Sequence, residues 1–103
     1  MAYHKHVRIE WNPTKNRTNR VRHGLTFEEA EELFLGDVEY LVIYDDEHSE
    51  SEDRFFAIGP IAGGIITVVY TEQIDDIVRI LSARRATRRE QALFRRHVGG
   101  TKL

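Results

Sequence analysis

Three apolar runs stand almost end to end in the second half of the chain: RFFAIGPI (54–61), GGIITVVYTE (63–72) and IVRILSA (77–83). Each is rich in β-branched and aromatic residues. The links between them are short, a glycine pair after Pro60 and the four residues QIDD (73–76). Strands joined this tightly cannot run parallel, because a parallel pair needs a crossover of roughly a dozen residues. An antiparallel meander follows, and everything else must pack on it. A further strand, EYLVIYDD (39–46), precedes it across the polar loop DEHSESED (46–53).

The first third of the chain has a different period. HVRIEW (6–11) alternates Val7, Ile9 and Trp11 against His6, Arg8 and Glu10, as a half-buried strand does; Trp11 reads as core. Asn12 is a helix cap, Pro13 suits the first helical position and Gly24 ends the helix. That helix is poor in apolar residues and lies on the surface. In TFEEAEELFLGD, Thr26 and Glu29 form a capping box, Phe27, Ala30, Leu33 and Phe34 form an apolar stripe, and Gly36 closes the helix. Thr87 and Glu90 form a second box at the head of a last helix. The order is β-α-α-β-β-β-β-α. It predicts an α+β fold: a small antiparallel sheet with two N-terminal helices and one C-terminal helix packed on it. Residues 1–103 form a single domain, with a tail at 99–103 that frays.

There is no cysteine, so neither a disulfide framework nor a thiolate metal site is available. No apolar run nears the ~20 residues of a membrane span, and the N-terminus has no hydrophobic signal region. A cytoplasmic location with no membrane contact is expected. The net charge of −2 conceals a sorting of charges. Residues 1–24 hold six Lys/Arg and one acid, residues 25–53 hold twelve acids and no Lys/Arg, and residues 54–103 hold nine Lys/Arg and four acids. Two basic segments flanking an acidic one suit a polyanion partner, or pair with each other inside the fold.

Residues 79–97 alone hold seven arginines. On a helical wheel Arg88, Arg95 and Arg96 take one side of the last helix, with Arg89 at its edge, and Leu93, Phe94 and Val98 take the other. The acidic helix at 28–32 could answer this charge, or an external polyanion could. Arg79 stands inside an apolar strand. If the connection is 73–76, Glu72 faces Ile77 and Tyr70 faces Arg79, so Tyr70, Glu72 and Arg79 share one face; Arg54 joins them if the hairpin at 60–64 has matching parity. A one-residue slip destroys the grouping. RNA cleaves itself when its 2′-hydroxyl attacks the adjacent phosphate, which requires a base for the hydroxyl and cations for the phosphate oxygens. A carboxylate beside arginines supplies both, with Glu72 as base, Arg79 as charge stabiliser and Tyr70 as base-stacking group or proton donor. The plainer alternative is a cross-strand ion pair of Glu72 with Arg79.

The chain resembles the BrnT family, the ribonuclease half of bacterial type II toxin–antitoxin pairs. The likeness lies in EWNPTKNRTNRVRHGLTFEEA, in DDEHSESEDRFFAIG and in VVYTEQIDDIVRILSARRATRRE, from about residue 8 to residue 92. Asn12, Arg22 and Gln73 depart from the family pattern. The resemblance implies a RelE-like fold and a metal-independent endoribonuclease that arrests growth and needs no cofactor. It also implies a ribbon-helix-helix antitoxin of the BrnA type that blocks the active surface, and operator DNA contacted only through that complex. By position it carries over Arg54, Tyr70, Glu72, Arg79 and Arg84 as catalytic candidates.

Arg85, Arg88, Arg89 and Arg95 are expected to hold the RNA backbone. Lys15, Arg17, Arg20 and Arg22 ring the RNA groove, contact the antitoxin or form a solvated face. His23, before the helix-ending Gly24, is a dipole or cap residue, or a catalytic acid or base. His48 sits among Asp45, Asp46, Glu47, Glu50 and Glu52 in what reads as a solvated turn. The loop lacks the calcium-loop pattern, so no metal site is expected there. His4 and His6 read as exposed polar positions. Two rival readings fit the residues alone: a non-catalytic module of the same fold that binds nucleic acid or antitoxin, and a dimer whose acidic and basic segments pair.

Overall fold

Local signals set the helices where the caps predict them. In the computed structural model, which describes residues 7–73 and 76–99, Asn12 Oδ1 accepts from the amides of Thr14 and Lys15 at the head of α1 (Pro13–His23), and Gly24 closes it at φ 71°. Both halves of the Thr26–Glu29 box are formed at α2 (Phe27–Leu35), and the box's hydrogen bonds hold the Glu29 carboxyl below its ordinary range. The Thr87–Glu90 box starts α3 (Arg88–Gly99). Between them run β1 (Arg8–Glu10), β2 (Leu41–Tyr44), β3 (Arg54–Ile61), β4 (Gly64–Gln73) and β5 (Ile77–Arg85). The element order is the expected one. His4, His6 and the tail beyond residue 99 lie outside the described residues.

The five strands form one sheet in the order β1-β5-β4-β3-β2. β2 to β5 pair antiparallel, as their short links require. β1 departs from the antiparallel expectation: it pairs parallel to β5, with Arg8, Ile9 and Glu10 opposite Ile77, Val78 and Arg79. Its sequence distance from β5 leaves room for the crossover that a parallel pair needs.

The sheet is covered on both faces by different helices. On one face α2 buries Phe27, Ala30, Leu33 and Phe34 against Ala57, Ile66, Val68, Tyr70, Val78, Ile80 and Ala83. Full burial of side chains such as Phe27 and Leu33 contributes about 1.5–3 kcal/mol each. α2 and the residue before β2 come so close to β3 that a Cβ on Gly59 would sit 2.8 Å from Leu33 Cδ1 and 2.7 Å from Tyr40 Cβ. On the other face α3 packs Phe94 and Val98 with Ala86 against Ile58, Leu41, Ile43 and Ile65. These contacts cover only the end of the sheet where β3 finishes.

α1 has one buried residue, the polar Asn19. β1 reaches no further along β5 than Arg79, so the backbone edge of β5 beyond it lacks a strand partner. Asn19 supplies one: Ala83 N–H donates to its Oδ1 at 3.1 Å, and its Nδ2 donates to Ala83 O and Leu25 O, both at 2.8 Å. Asn16 joins α1 to α2 by accepting from the Phe27 amide and donating to Glu28.

A charged row as the candidate active site

The register of β4 on β5 decides which side chains meet. Gln73 pairs with Ile77, so the connection is residues 74–76, one residue shorter than expected. It closes through Asp76 in a left-handed conformation, φ 59°. Arg79 therefore stands opposite Thr71, while Tyr70 faces Ile80 and Glu72 faces Val78. The slip moves Tyr70 and Glu72 to the α1/α2 face and leaves Arg79 on the other.

The expected trio is thus divided. Tyr70 is 5% exposed, stacked on Phe55 at 5.5 Å and edge-on to Phe34 at 5.0 Å, and burial pushes its hydroxyl well above the ordinary tyrosine range. It packs as a core residue in this fold. Glu72 is exposed at the rim of that same face and cannot reach Arg79 through the sheet.

The α3 face assembles a different set. Arg54 pairs with Thr71, Thr71 with Arg79, and Arg79 with Glu10. One transverse row thus crosses β3, β4, β5 and β1, on the part of the face that α3 leaves open. Arg79 Nη1 lies 3.2 Å from Glu10 Oε1, and both side chains are more than one third exposed. Arg54 has no carboxylate partner among the described residues. Its Nε and the neighbouring Thr71 Oγ1 are both buried and lack any hydrogen-bond partner. An unmet buried donor beside an unmet hydroxyl costs on the order of 1–3 kcal/mol each, so such a pair in a native fold demands an explanation.

The row continues onto β2. Asp45 N–H donates to Arg54 O at 2.8 Å, which makes Asp45 the next residue across from Arg54. The alternation Leu41, Ile43, Asp45 puts it on the α3 face. Asp45 is 7% exposed, and His48 Nδ1 lies 3.1 and 3.3 Å from its two carboxylate oxygens. Ser49 fixes the turn, donating to Asp45 O and accepting from the Arg54 amide. The acidic loop is no merely solvated turn at this point: it holds an imidazole at the end of the row. Glu10, Thr71 and the Asp45–His48 pair are absent from the sequence-based candidates. The period-2 alternation of β1 and β2 carried a signal for Glu10 and Asp45. Among the described residues no group of three or more His, Asp or Glu side chains converges on a possible metal position.

Arg84 reaches the same face by a β-bulge. Tyr70 pairs with Ile80 but Val69 pairs with Ser82, so Leu81 is an extra residue and the parity of β5 reverses beyond it. Arg84 then lies opposite Thr67. It grips Glu90 with two nitrogens at 2.8 and 2.9 Å, and Glu90 also accepts from Thr67 Oγ1 and the Thr87 amide. Chiefly through the Arg84 hydrogen bond, the Glu90 carboxyl is lowered to about 2. Arg84 thereby fastens α3 to the sheet, with its fork engaged inside the protein.

The backbone-binding candidates split between the two sides. Arg88, Arg89 and Arg95 are exposed on α3, the helix that covers the same face of the sheet as the row. The acidic helix, α2, lies across the sheet from them. Arg85 stands opposite Ile66 on the α1/α2 face and donates to Gly63 O at 2.8 Å. Lys15, Arg22 and His23 are exposed on α1, in the layer of α2.

The family model described as the ribonuclease toxin BrnT of type II toxin–antitoxin systems matches residues 11–90. The chain belongs to this family. A BrnT crystal structure at 1.1 Å, that of the Brucella abortus ribonuclease toxin, is similar to it, with a TM-score of 0.61 and 28% identity over 80% of this chain and 99% of that one. No curated protein sequence matches the chain. The BrnT assignment makes an RNA target and an antitoxin partner the family's business. No helix among the described residues is long and apolar enough to cross a membrane.

Proposed function

We propose that this BrnT-family chain is a metal-independent endoribonuclease whose active surface is the open row on the α3 face. The observation that carries the reading is the pair of unmet buried groups, Arg54 Nε and Thr71 Oγ1, in a row whose next residue is a second arginine, Arg79. A phosphate bridging the two arginines, above the buried Thr71, would accept from Arg54 on one side and Arg79 on the other. Guanidinium groups match phosphate oxygens in a planar fork, and two of them oppose the charge that grows on the equatorial oxygens as the 2′-oxygen attacks. The products are a 2′,3′-cyclic phosphate and a free 5′-hydroxyl. Arg88, Arg89 and Arg95 hold the flanking backbone, so binding weakens as salt rises. In the cell, cleavage arrests growth until a ribbon-helix-helix antitoxin covers the row, and operator DNA is contacted only through that complex.

End-labelled RNA incubated with the purified chain and EDTA tests this reading. Cyclic-phosphate ends formed by the wild type and lost in Arg54→Ala and Arg79→Ala are the expected result. A folded wild-type chain that binds RNA without cutting it would be a binding module instead.

A further inference from the structure

The row supplies cations for a phosphate but leaves open which group moves the proton. We infer that His48 is the general base of the cleavage and that Asp45 is its positioning residue. The inference rests on the cleavage reading above and deepens it.

A carboxylate can only accept, so the contact at 3.1 Å requires the proton to be on His48 Nδ1. That leaves the Nε2 lone pair free in the neutral ring. The imidazole side chain is 61% exposed while the Asp45 carboxylate beneath it is 8% exposed, so the free nitrogen is presented by a fixed, buried anchor. The anchor is tied to the row three times: Asp45 N–H to Arg54 O, Arg54 N–H to Ser49 Oγ, and Ser49 Oγ–H to Asp45 O. A buried carboxylate that orients one ring nitrogen and stabilises the imidazolium is the arrangement hydrolytic enzymes use to make histidine a base. The other carboxylate of the row, Glu10, has an oxygen engaged by Arg79.

The step balances as follows. His48 Nε2 takes the 2′-hydroxyl proton, the 2′-oxygen forms its bond to phosphorus, and the bond from phosphorus to the 5′-oxygen breaks. The leaving oxygen takes a proton from water, and the imidazolium returns its own to solvent. The charged neighbours across β2 and β3 are Asp45 and Arg54; Asp46, Glu47 and Glu50 share the turn.

The test compares wild type, His48→Gln, His48→Ala and Asp45→Asn on end-labelled RNA across a pH series, with RNA binding measured in parallel. His48→Gln should cut at least about 100-fold more slowly while binding RNA within about twofold of wild type. The acid limb of the wild-type rate profile should disappear with it. Added imidazole should restore part of the lost rate to His48→Ala, a response that a folding defect would not give. His48→Gln cutting within about threefold of a cleaving wild type overturns the inference and leaves the cleavage reading standing. A wild type that binds RNA and never cuts overturns both.

Discussion

Arg54 and Arg79 stand two strands apart on the same face of the sheet, with Thr71 alone between them. At about 4.8 Å per strand, their backbones are roughly 10 Å apart, and their side chains can converge on one anion above Thr71.

Arg79→Lys tests the shape of that cation as well as its charge. Lysine keeps the charge and loses the fork. RNA cleavage by this variant should fall roughly 10-fold or more, and by Arg54→Ala roughly 100-fold, with circular dichroism unchanged for both. Equal cleavage by wild type and Arg79→Lys in a single-turnover assay would mean that a point charge suffices.

Glu72→Ala should cut RNA within about threefold of wild type, because its carboxylate lies on the other side of the sheet. Tyr70→Phe should do the same. Tyr70→Ala should instead lower stability by about 3–5 kcal/mol, the range for removing a buried aromatic ring, read by chemical denaturation.

The Glu90 carboxyl lies at about 2 in the fold, against an ordinary value of 4.5. The unfolded chain therefore takes up the proton first as pH falls. The stabilisation is complete above about pH 4.5 and is lost as pH drops towards about 2. Allowing for the partly exposed position of the pair, it is on the order of 2 kcal/mol. Denaturation of wild type and Glu90→Gln over this window should show the gap between them closing as pH falls. A constant gap would mean that the ion pair with Arg84 does not hold α3.

Asn19→Ala leaves the Ala83 amide and carbonyl on an open, buried edge. A loss of about 2–3 kcal/mol is expected, with a drop of roughly 10 °C or more in the melting temperature. Asn19→Asp keeps the acceptor and removes both donors, so it should recover only part of the loss in the same melt.

Arg89→Ala and Arg95→Ala should each weaken RNA binding and reduce the slope of log affinity against log salt by about 0.7 for each phosphate that is no longer neutralised. Lys15→Ala, on the opposite layer, should leave that slope unchanged. Fluorescence titration at several salt concentrations separates the two.

Much of the architecture was legible in the sequence because it depends on local chemistry. Asn12, Thr26 and Thr87 cap through neighbours three or fewer residues away, and short links leave β3, β4 and β5 no choice but to run antiparallel. The candidate site depends on parity, which one residue reverses. Assigning Gln73 to the turn instead of the strand was enough to group Arg79 with Glu72 and not with Thr71. The bulge at Leu81 has no glycine or proline to announce it. Glu10 joins the row only through the parallel β1–β5 pairing, which brings together residues from opposite ends of the chain. Asp45 and His48 were masked by their company: the alternation Leu41, Ile43, Asp45 turns that one carboxylate inward, but it stands at the strand's end at the head of a run of acids that reads as a polar loop.

The extra residue at Leu81 also makes the placement of Arg84 depend on one irregularity of the backbone and not on any side chain. A strand that ran straight through the same residues, with no bulge, would leave composition, charge and hydropathy untouched. Yet it would send Arg84 to the wrong side, release the clasp on Glu90 and bring a small hydrophobic residue, Ala83, out of the interior. Deleting Leu81 would instead restore strict alternation and keep Arg84 opposite Thr67, so the one residue that the register can lose is the one that has no partner in it.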